Sequence, residues 1–313
     1  MSLATEPVLE AAGEVAPRSI VAEYAALIRP RVATMVFVVT LIGALIASVP
    51  LGGGNGSVWR ALEAASYVTL ITGCASVLNQ VLERDTDKRM ERTRLRPLVV
   101  GSVAVPHAIL FAVVQLAAGT VGLALSFNLL AALLAVSTLV AYVAVYTPLK
   151  RVSTLNTVVG AIPGAAPPLL GYVAITGSVE PWAWMLFGTL FVWQFPHFLA
   201  IAWLYREDYA RAGLKMLPAV PGSRGIAGRS ALVHAAVLLP VSLLPAVRGD
   251  AGALYAIGAL VLGLAYLAVS AAFALRENRP RARAVVLVSL AYLPLLFSLI
   301  LFDPAVHSAL MTR

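Results

Sequence analysis

Asn79, Glu83 and Asp87 recur at i, i+4 and i+8 where a long apolar run ends, so on a helix all three share one face. Asp85 lies beside them, and Arg84, Lys88, Arg89, Arg92, Arg94 and Arg96 follow within the same stretch. Ionisable groups at the end of a membrane helix are costly and mark a site. Grouped oxygen ligands suit a hard cation such as Mg²⁺, and guanidinium forks match the phosphates that Mg²⁺ shares. Carboxylates alone would fit a cation path. Interleaved with arginines, they point to a metal–diphosphate substrate.

A second polar stretch, TLFVWQFPHFLAIAWLYREDYARAGLKMLP over residues 189–218, carries acids first and then bases in the same manner. Glu207 and Asp208 are its only acids, flanked by Arg206, Arg211 and Lys215. They suit either a second metal site or local ion pairs. Pro196 lies inside the apolar run, where it removes a backbone donor and frees carbonyls near His197. A third cluster, Tyr146-Thr147-Pro148-Leu149-Lys150-Arg151, leads into a Gly/Ala/Pro-rich run over residues 160–168 that suits close helix packing beside a cavity. Read alone, His197 fits a packed core histidine as well as a ligand. Arg29 and Arg31 fit snorkelling anchors at a helix end, and Trp182, Trp184, Trp193 and Trp203 fit an interfacial belt.

The elements that must position these groups are membrane helices. The chain has 313 residues, 60% of them hydrophobic and 12% charged, with mean hydropathy +0.88, which excludes a soluble globule. Charge-free stretches cover residues 32–59, 64–82, 97–149, 152–179, 181–205, 230–247, 251–275 and 284–302. A span needs about 20 residues, so 97–149 holds two, with Ser126-Phe127-Asn128 as the turn. Nine spans result. With the N-terminus cytoplasmic, every Lys and Arg except Arg60, Arg248 and Arg313 falls on the cytoplasmic side, and the C-terminus falls outside. The net charge of +8 is therefore topological and gives no reason to expect nucleic acid. Residues 1–23 read as a disordered cytoplasmic N-terminus, 24–303 as the transmembrane domain and 304–313 as a short tail. Cys74, the only cysteine, lies in an apolar run and reads as a buried small hydrophobe.

The spacing Asn79-x₃-Glu83-x₃-Asp87, followed by Arg92-Thr93-x₂-Arg96-Pro97-Leu98-x₂-Gly101, resembles the first signature of the UbiA superfamily of intramembrane prenyltransferases. ERDTDKRMERTRLRPL, YTPLKRVSTLNTVVGAIPGAAPPLLGY and WQFPHFLAIAWLYREDYARAGLKMLP are similar to the three signatures of its protoheme IX farnesyltransferase (heme O synthase) branch. Arg29-Pro30-Arg31 before the first span and Tyr292-Leu293-Pro294-Leu295-Leu296-Phe297 in the last also fit, and the resemblance covers roughly residues 24–302. It implies an all-α integral membrane fold of nine helices around a central cavity. It further implies transfer of the farnesyl group of farnesyl diphosphate to a vinyl group of protoheme IX, with Mg²⁺ as cofactor, in the inner membrane of a bacterium. Asn79, Glu83 and Asp87 would then hold the metal, with Asp85 close by. Glu207 and Asp208 would be the remaining acids at the second motif, where Tyr205 and Tyr209 stand in place of aspartates. Arg92, Arg96, Lys150, Lys215 and Tyr146 would bind diphosphate, and His197, Arg206 and Arg211 the heme. A heme A synthase or oxidase assembly proteins are partners in keeping with such a product. Three other readings stay open on the residues alone: transfer to another acceptor within the superfamily, a cation transporter using the same carboxylates, and a structural or heme-carrier role.

Overall fold

A computed structural model of the chain describes residues 19–49 and 55–311, and among these every regular element is helical. α1 (Ile20–Leu27) is a short helix before the first span, N-capped by the Ser19 hydroxyl, which accepts from Ala22 N–H. α2 (Pro30–Ser48) and α3 (Asn55–Leu82) follow, then two one-turn helices, α4 (Arg84–Asp87) and α5 (Pro97–Val100). α6 (Val105–Ser126) and α7 (Leu129–Val140) come next, and α7 continues through a π-helical turn (Ala141–Tyr146) into α8 (Thr147–Val152). α9 (Asn156–Thr176), α10 (Pro181–Leu204) and the short α11 (Arg206–Arg211) lead to α12 (Ile226–Val247), α13 (Ala253–Leu275), α14 (Arg279–Phe302) and α15 (Pro304–Met311).

Nine of these helical stretches among the described residues are long and apolar enough to span a bilayer, as the composition predicts. The 97–149 run divides at the expected turn: Asn128 caps α7 by accepting from Ala131 N–H, and its amide donates to Val173 O and Ala174 O of α9. Leu125, Val247 and Leu275 are at least 80% exposed, an arrangement that lipid tolerates and water does not. Of the expected disordered N-terminus, residues 1–18 lie outside the described residues, while from Ile20 the chain is helical. Most of the short tail after residue 303 forms α15.

An inner ring holds the site. α2 packs against α3 and α9, α9 against α10, α10 against α14, and α14 back against α2. The α2–α9 contact is backbone to backbone. A Cβ at Gly43 would collide with the Pro168 carbonyl, and one at Gly171 with the Thr40 carbonyl, so the small-residue run lets the two helices touch. The two polar stretches occupy matching places, α4 at the end of α3 and α11 at the end of α10.

Candidate active site

Within the inner ring lies a cavity of about 570 Å³, with an apolar body and a charged end. Met35, Val36, Val68, Ile71, Leu290 and Leu293 line the body, together with Pro163 and Pro167 of α9. Arg29, Arg31, Glu83, Asp87, Arg92, Arg96, Lys150, Tyr146 and Tyr209 line the charged end. Five of these side chains are cationic and two anionic, so the chain itself leaves an excess of positive charge at one end of an apolar pocket.

Each carboxylate is tied to a base. Asp87 Oδ2 accepts from Arg96 at 2.5 Å, and Glu83 accepts from Lys150 Nζ at 2.9 and 3.2 Å. Asp87 Oδ1 is buried with no hydrogen-bond partner. Burial pushes the Asp87 carboxyl above the usual carboxylate range despite the pull of Arg96. Burial likewise lowers Arg96, with Arg29 adding to the effect and Asp87 opposing it. A buried pair that leaves one carboxylate oxygen without a partner is a charge set that a ligand would compensate. Thr93 Oγ1 donates to Asp87 O at 2.9 Å, and Arg151 donates to Thr86 Oγ1 at 3.0 Å, which fixes the turn carrying the acids. Arg92 is held beneath Tyr205 and Tyr209, its guanidinium 5.1 and 5.8 Å from their ring centres, and donates to the Tyr209 hydroxyl at 3.3 Å. Lys150 Nζ lies 4.5 Å from the centre of the Tyr146 ring. Neither Arg92 nor Arg29 is committed to a carboxylate.

The expected metal set is only partly assembled. Among the described residues no three His, Cys, Asp or Glu side chains cluster as a self-sufficient cage. The orphaned Asp87 oxygen with Glu83 nearby nonetheless fits Mg²⁺, which characteristically takes one or two carboxylates and draws its other ligands from substrate phosphates and water. Asn79 does not line the cavity. It is fully buried, accepting from Arg29 at 2.6 Å and donating to Thr147 Oγ1 at 3.0 Å. Helical register is kept, since Glu83 N–H donates to Asn79 O and Asp87 N–H to Glu83 O, but the Asn79 carboxamide lies one turn deeper and is spent on Arg29 and Thr147.

The other candidates are not brought to the cavity. Asp85 is 84% exposed and pairs with Lys88. Glu207, 77% exposed, pairs with Arg206, and Asp208 pairs with Arg211, so the local ion-pair reading of that stretch holds. Arg206 and Arg211 therefore point to their own neighbours rather than to a cavity ligand. Lys215 contributes its backbone, donating to Lys150 O at 2.7 Å while its carbonyl accepts from Asn156 at 2.9 Å. That pairing steadies Lys150. Arg29 and Arg31, read from the sequence as anchors, line the cavity instead. Trp182 and Trp193 are buried rather than interfacial, and Trp184 is exposed.

His197 does line the cavity, on the apolar side. Its ring stacks on Trp193 with centres 5.2 Å apart, and its Nδ1 lies 2.7 Å from Ser289 Oγ. The Ser289 hydroxyl also lies 2.6 Å from Val286 O, and donating there leaves it able to accept from His197 Nδ1–H. With the ring proton on Nδ1, Nε2 would carry the lone pair that binds metal. Sequence reasoning missed Ser289, because a serine on an apolar helix carries no signal of its own.

Charged groups of both signs at the mouth and an apolar wall beyond can hold a polyanionic head with a hydrocarbon tail. The comparisons agree. The UbiA prenyltransferase family matches residues 35–299. A protoheme IX farnesyltransferase of Solibacter usitatus is 41% identical over 287 residues, 90% of this chain and 98% of that protein. A solved structure concerning digeranylgeranylglyceryl phosphate synthase in membranes superposes with a TM-score of 0.73 at 18% identity, covering 94% of this chain and 99% of that one. A UbiA homologue from Archaeoglobus fulgidus, bound to DMAPP and Mg²⁺, superposes with a TM-score of 0.61 at 18% identity, covering 90% and 99%. At such identities the two structures speak for the fold, and the fold is the same.

Proposed function

This chain belongs to the UbiA prenyltransferase family, and within it we propose that it transfers the farnesyl group of farnesyl diphosphate to a vinyl group of protoheme IX, releasing diphosphate. The observation that carries this reading is the cavity itself, with Arg92, Arg96, Lys150, Glu83 and Asp87 at one end and His197 on the apolar wall. Its relatives named protoheme IX farnesyltransferase supply the acceptor.

Breaking the allylic C–O bond leaves negative charge on diphosphate and positive charge on carbon. Arg92 is poised to receive the leaving oxygens because its donors are not spent on a carboxylate. Arg96 and Lys150 would turn from Asp87 and Glu83 toward the diphosphate, and charge-assisted hydrogen bonds made there stabilise the transition state. Asp87 and Glu83 would hold Mg²⁺, which when bound supplies further neutralisation of the leaving group. The apolar body takes the farnesyl tail, each buried CH₂ contributing about 0.8 kcal/mol, and keeps water from the allylic cation until the vinyl carbon attacks it; water then adds to the cation left on the porphyrin side chain and loses a proton, giving a hydroxyethylfarnesyl group. His197, with Nε2 available, faces the porphyrin iron in this reading. Placement in the bacterial inner membrane, with the N-terminus cytoplasmic and the C-terminus outside, belongs to the same proposal. So do a heme A synthase or oxidase assembly proteins as partners.

The test is acceptor choice. Purified protein in detergent is given farnesyl diphosphate and Mg²⁺ with protoheme in one tube and a hydroxybenzoate or naphthoate in others. Only protoheme should be prenylated. Turnover on a phenolic acceptor alone would leave the family intact and overturn the acceptor.

A further inference from the structure

Arg29 is the only non-glycine among the described residues with positive φ, at φ 53° and ψ 75°. An L-residue in that region is strained, and Pro30 disfavours the ordinary helical alternative for the residue before it. Glycine or asparagine would make this turn at less cost. The turn is pinned from both sides: Arg29 N–H donates to Ala26 O at 3.3 Å, and Gln80 donates to Leu27 O at 2.6 Å. Strain of this kind persists where the surroundings over-determine it, and it gathers at functional sites.

The side chain explains why an arginine stands there. It lines the charged end of the cavity and acts electrostatically on both Asp87 and Arg96. One terminal nitrogen is held by Asn79 Oδ1 at 2.6 Å, whereas Nε is buried without any partner. Asn79 is itself held from the far side by Thr147, whose hydroxyl donates to Tyr142 O at 2.9 Å. The chain Tyr142–Thr147–Asn79–Arg29 therefore aims a guanidinium whose remaining donors have no protein acceptor.

We infer that Arg29 is a ligand of the substrate diphosphate, and that Asn79 serves the site by aiming Arg29 rather than by binding the metal. The inference rests on the prenyl-diphosphate reading above. It separates two roles that the spacing of the motif merges. Glu83 and Asp87 line the cavity and would hold the metal, while Asn79 belongs to a buried hydrogen-bonded relay.

The experiment is calorimetric titration of inorganic pyrophosphate into the full-length protein in detergent, once with EDTA and once with Mg²⁺. The variants are Arg29→Gly, Arg29→Lys, Asn79→Ala and Asp87→Asn. Arg29→Gly suits the turn without strain, so it should elute as a folded monodisperse species. Its metal-free pyrophosphate affinity should fall roughly 10- to 100-fold, the scale of a lost charge-assisted bond. Arg29→Lys should recover only part, because a point charge cannot replace the fork. Asn79→Ala should weaken binding in EDTA as well, whereas Asp87→Asn should weaken it only with Mg²⁺, since without metal it frees Arg96 for the anion. Wild-type affinity in Arg29→Gly would overturn the assignment of Arg29. A loss in Asn79→Ala confined to Mg²⁺ would return Asn79 to the metal. If the wild type bound no pyrophosphate under either condition, the prenyl-diphosphate reading would fall, and this one with it.

Discussion

Residues that look alike in the sequence separate sharply once their partners are known. Asp85 and Asp87 stand two apart in the same run, yet Asp85 lies in solvent against Lys88 while Asp87 is buried against Arg96 with one oxygen unpartnered. The helical spacing was enough to single out Glu83 and Asp87. It could not show that Asn79, one turn deeper, is buried behind the site with its carboxamide spent on Arg29 and Thr147. Arg29 was legible only as part of a run that fits the family pattern: basic residues at helix ends read as anchors whether they snorkel or turn inward, and backbone strain has no sequence signature. His197 was legible as a candidate, but its tautomer depends on Ser289, which is distant in sequence. His197→Ala should weaken heme binding about tenfold or more, as for a lost metal ligand, and leave pyrophosphate binding unchanged. Absorption titration with ferric protoheme checks this; an unaltered heme spectrum and affinity would remove His197 from the iron.

At the scale of elements, composition and periodicity gave the spans well because a bilayer admits few alternatives. The turn at residues 126–128 was legible from a polar interruption in an apolar run. The short helices α4, α11 and α15 were not, since segments so short carry too little periodicity and form through tertiary contacts. One cap joins two of the elements. Asp303, nearly inaccessible, accepts from the backbone N–H groups of Gly252, Tyr255, Ala305 and Val306, tying the start of α13 to α15. Burial alone would raise its carboxyl, but these hydrogen bonds bring it below the usual range. A carboxylate lowered in the folded state contributes stability that is present above its unfolded pKa, about 3.9, and is lost as pH falls through the folded pKa. Asp303→Asn should therefore flatten the acid limb of the stability profile. Asp303→Ala should cost about 1–3 kcal/mol at neutral pH. Thermal unfolding in detergent across pH measures both; an unchanged acid limb in Asp303→Asn would show that the cap does not carry this dependence.

For the whole molecule, the asymmetry of Lys and Arg predicts which end faces the cytoplasm, and the charged end of the cavity lies among those same loops. Cys74 is buried, so introduced cysteines can report sidedness without background. In inverted and right-side-out vesicles, Asp85→Cys should react with an impermeant maleimide only from the cytoplasmic face and Arg248→Cys only from the opposite face. Reaction of both from one side would contradict the alternation of nine spans. An inner ring enclosing a cavity with a charged end and a hydrocarbon wall is proposed to serve one reaction, the farnesylation of heme. The direct test is mass spectrometry of heme after incubation of the purified protein with protoheme, farnesyl diphosphate and Mg²⁺, with Asp87→Asn alongside. The account predicts a Mg²⁺-dependent gain of a farnesyl group plus one water, absent in the variant. Heme recovered at its starting mass, from protein that still binds pyrophosphate, would contradict it.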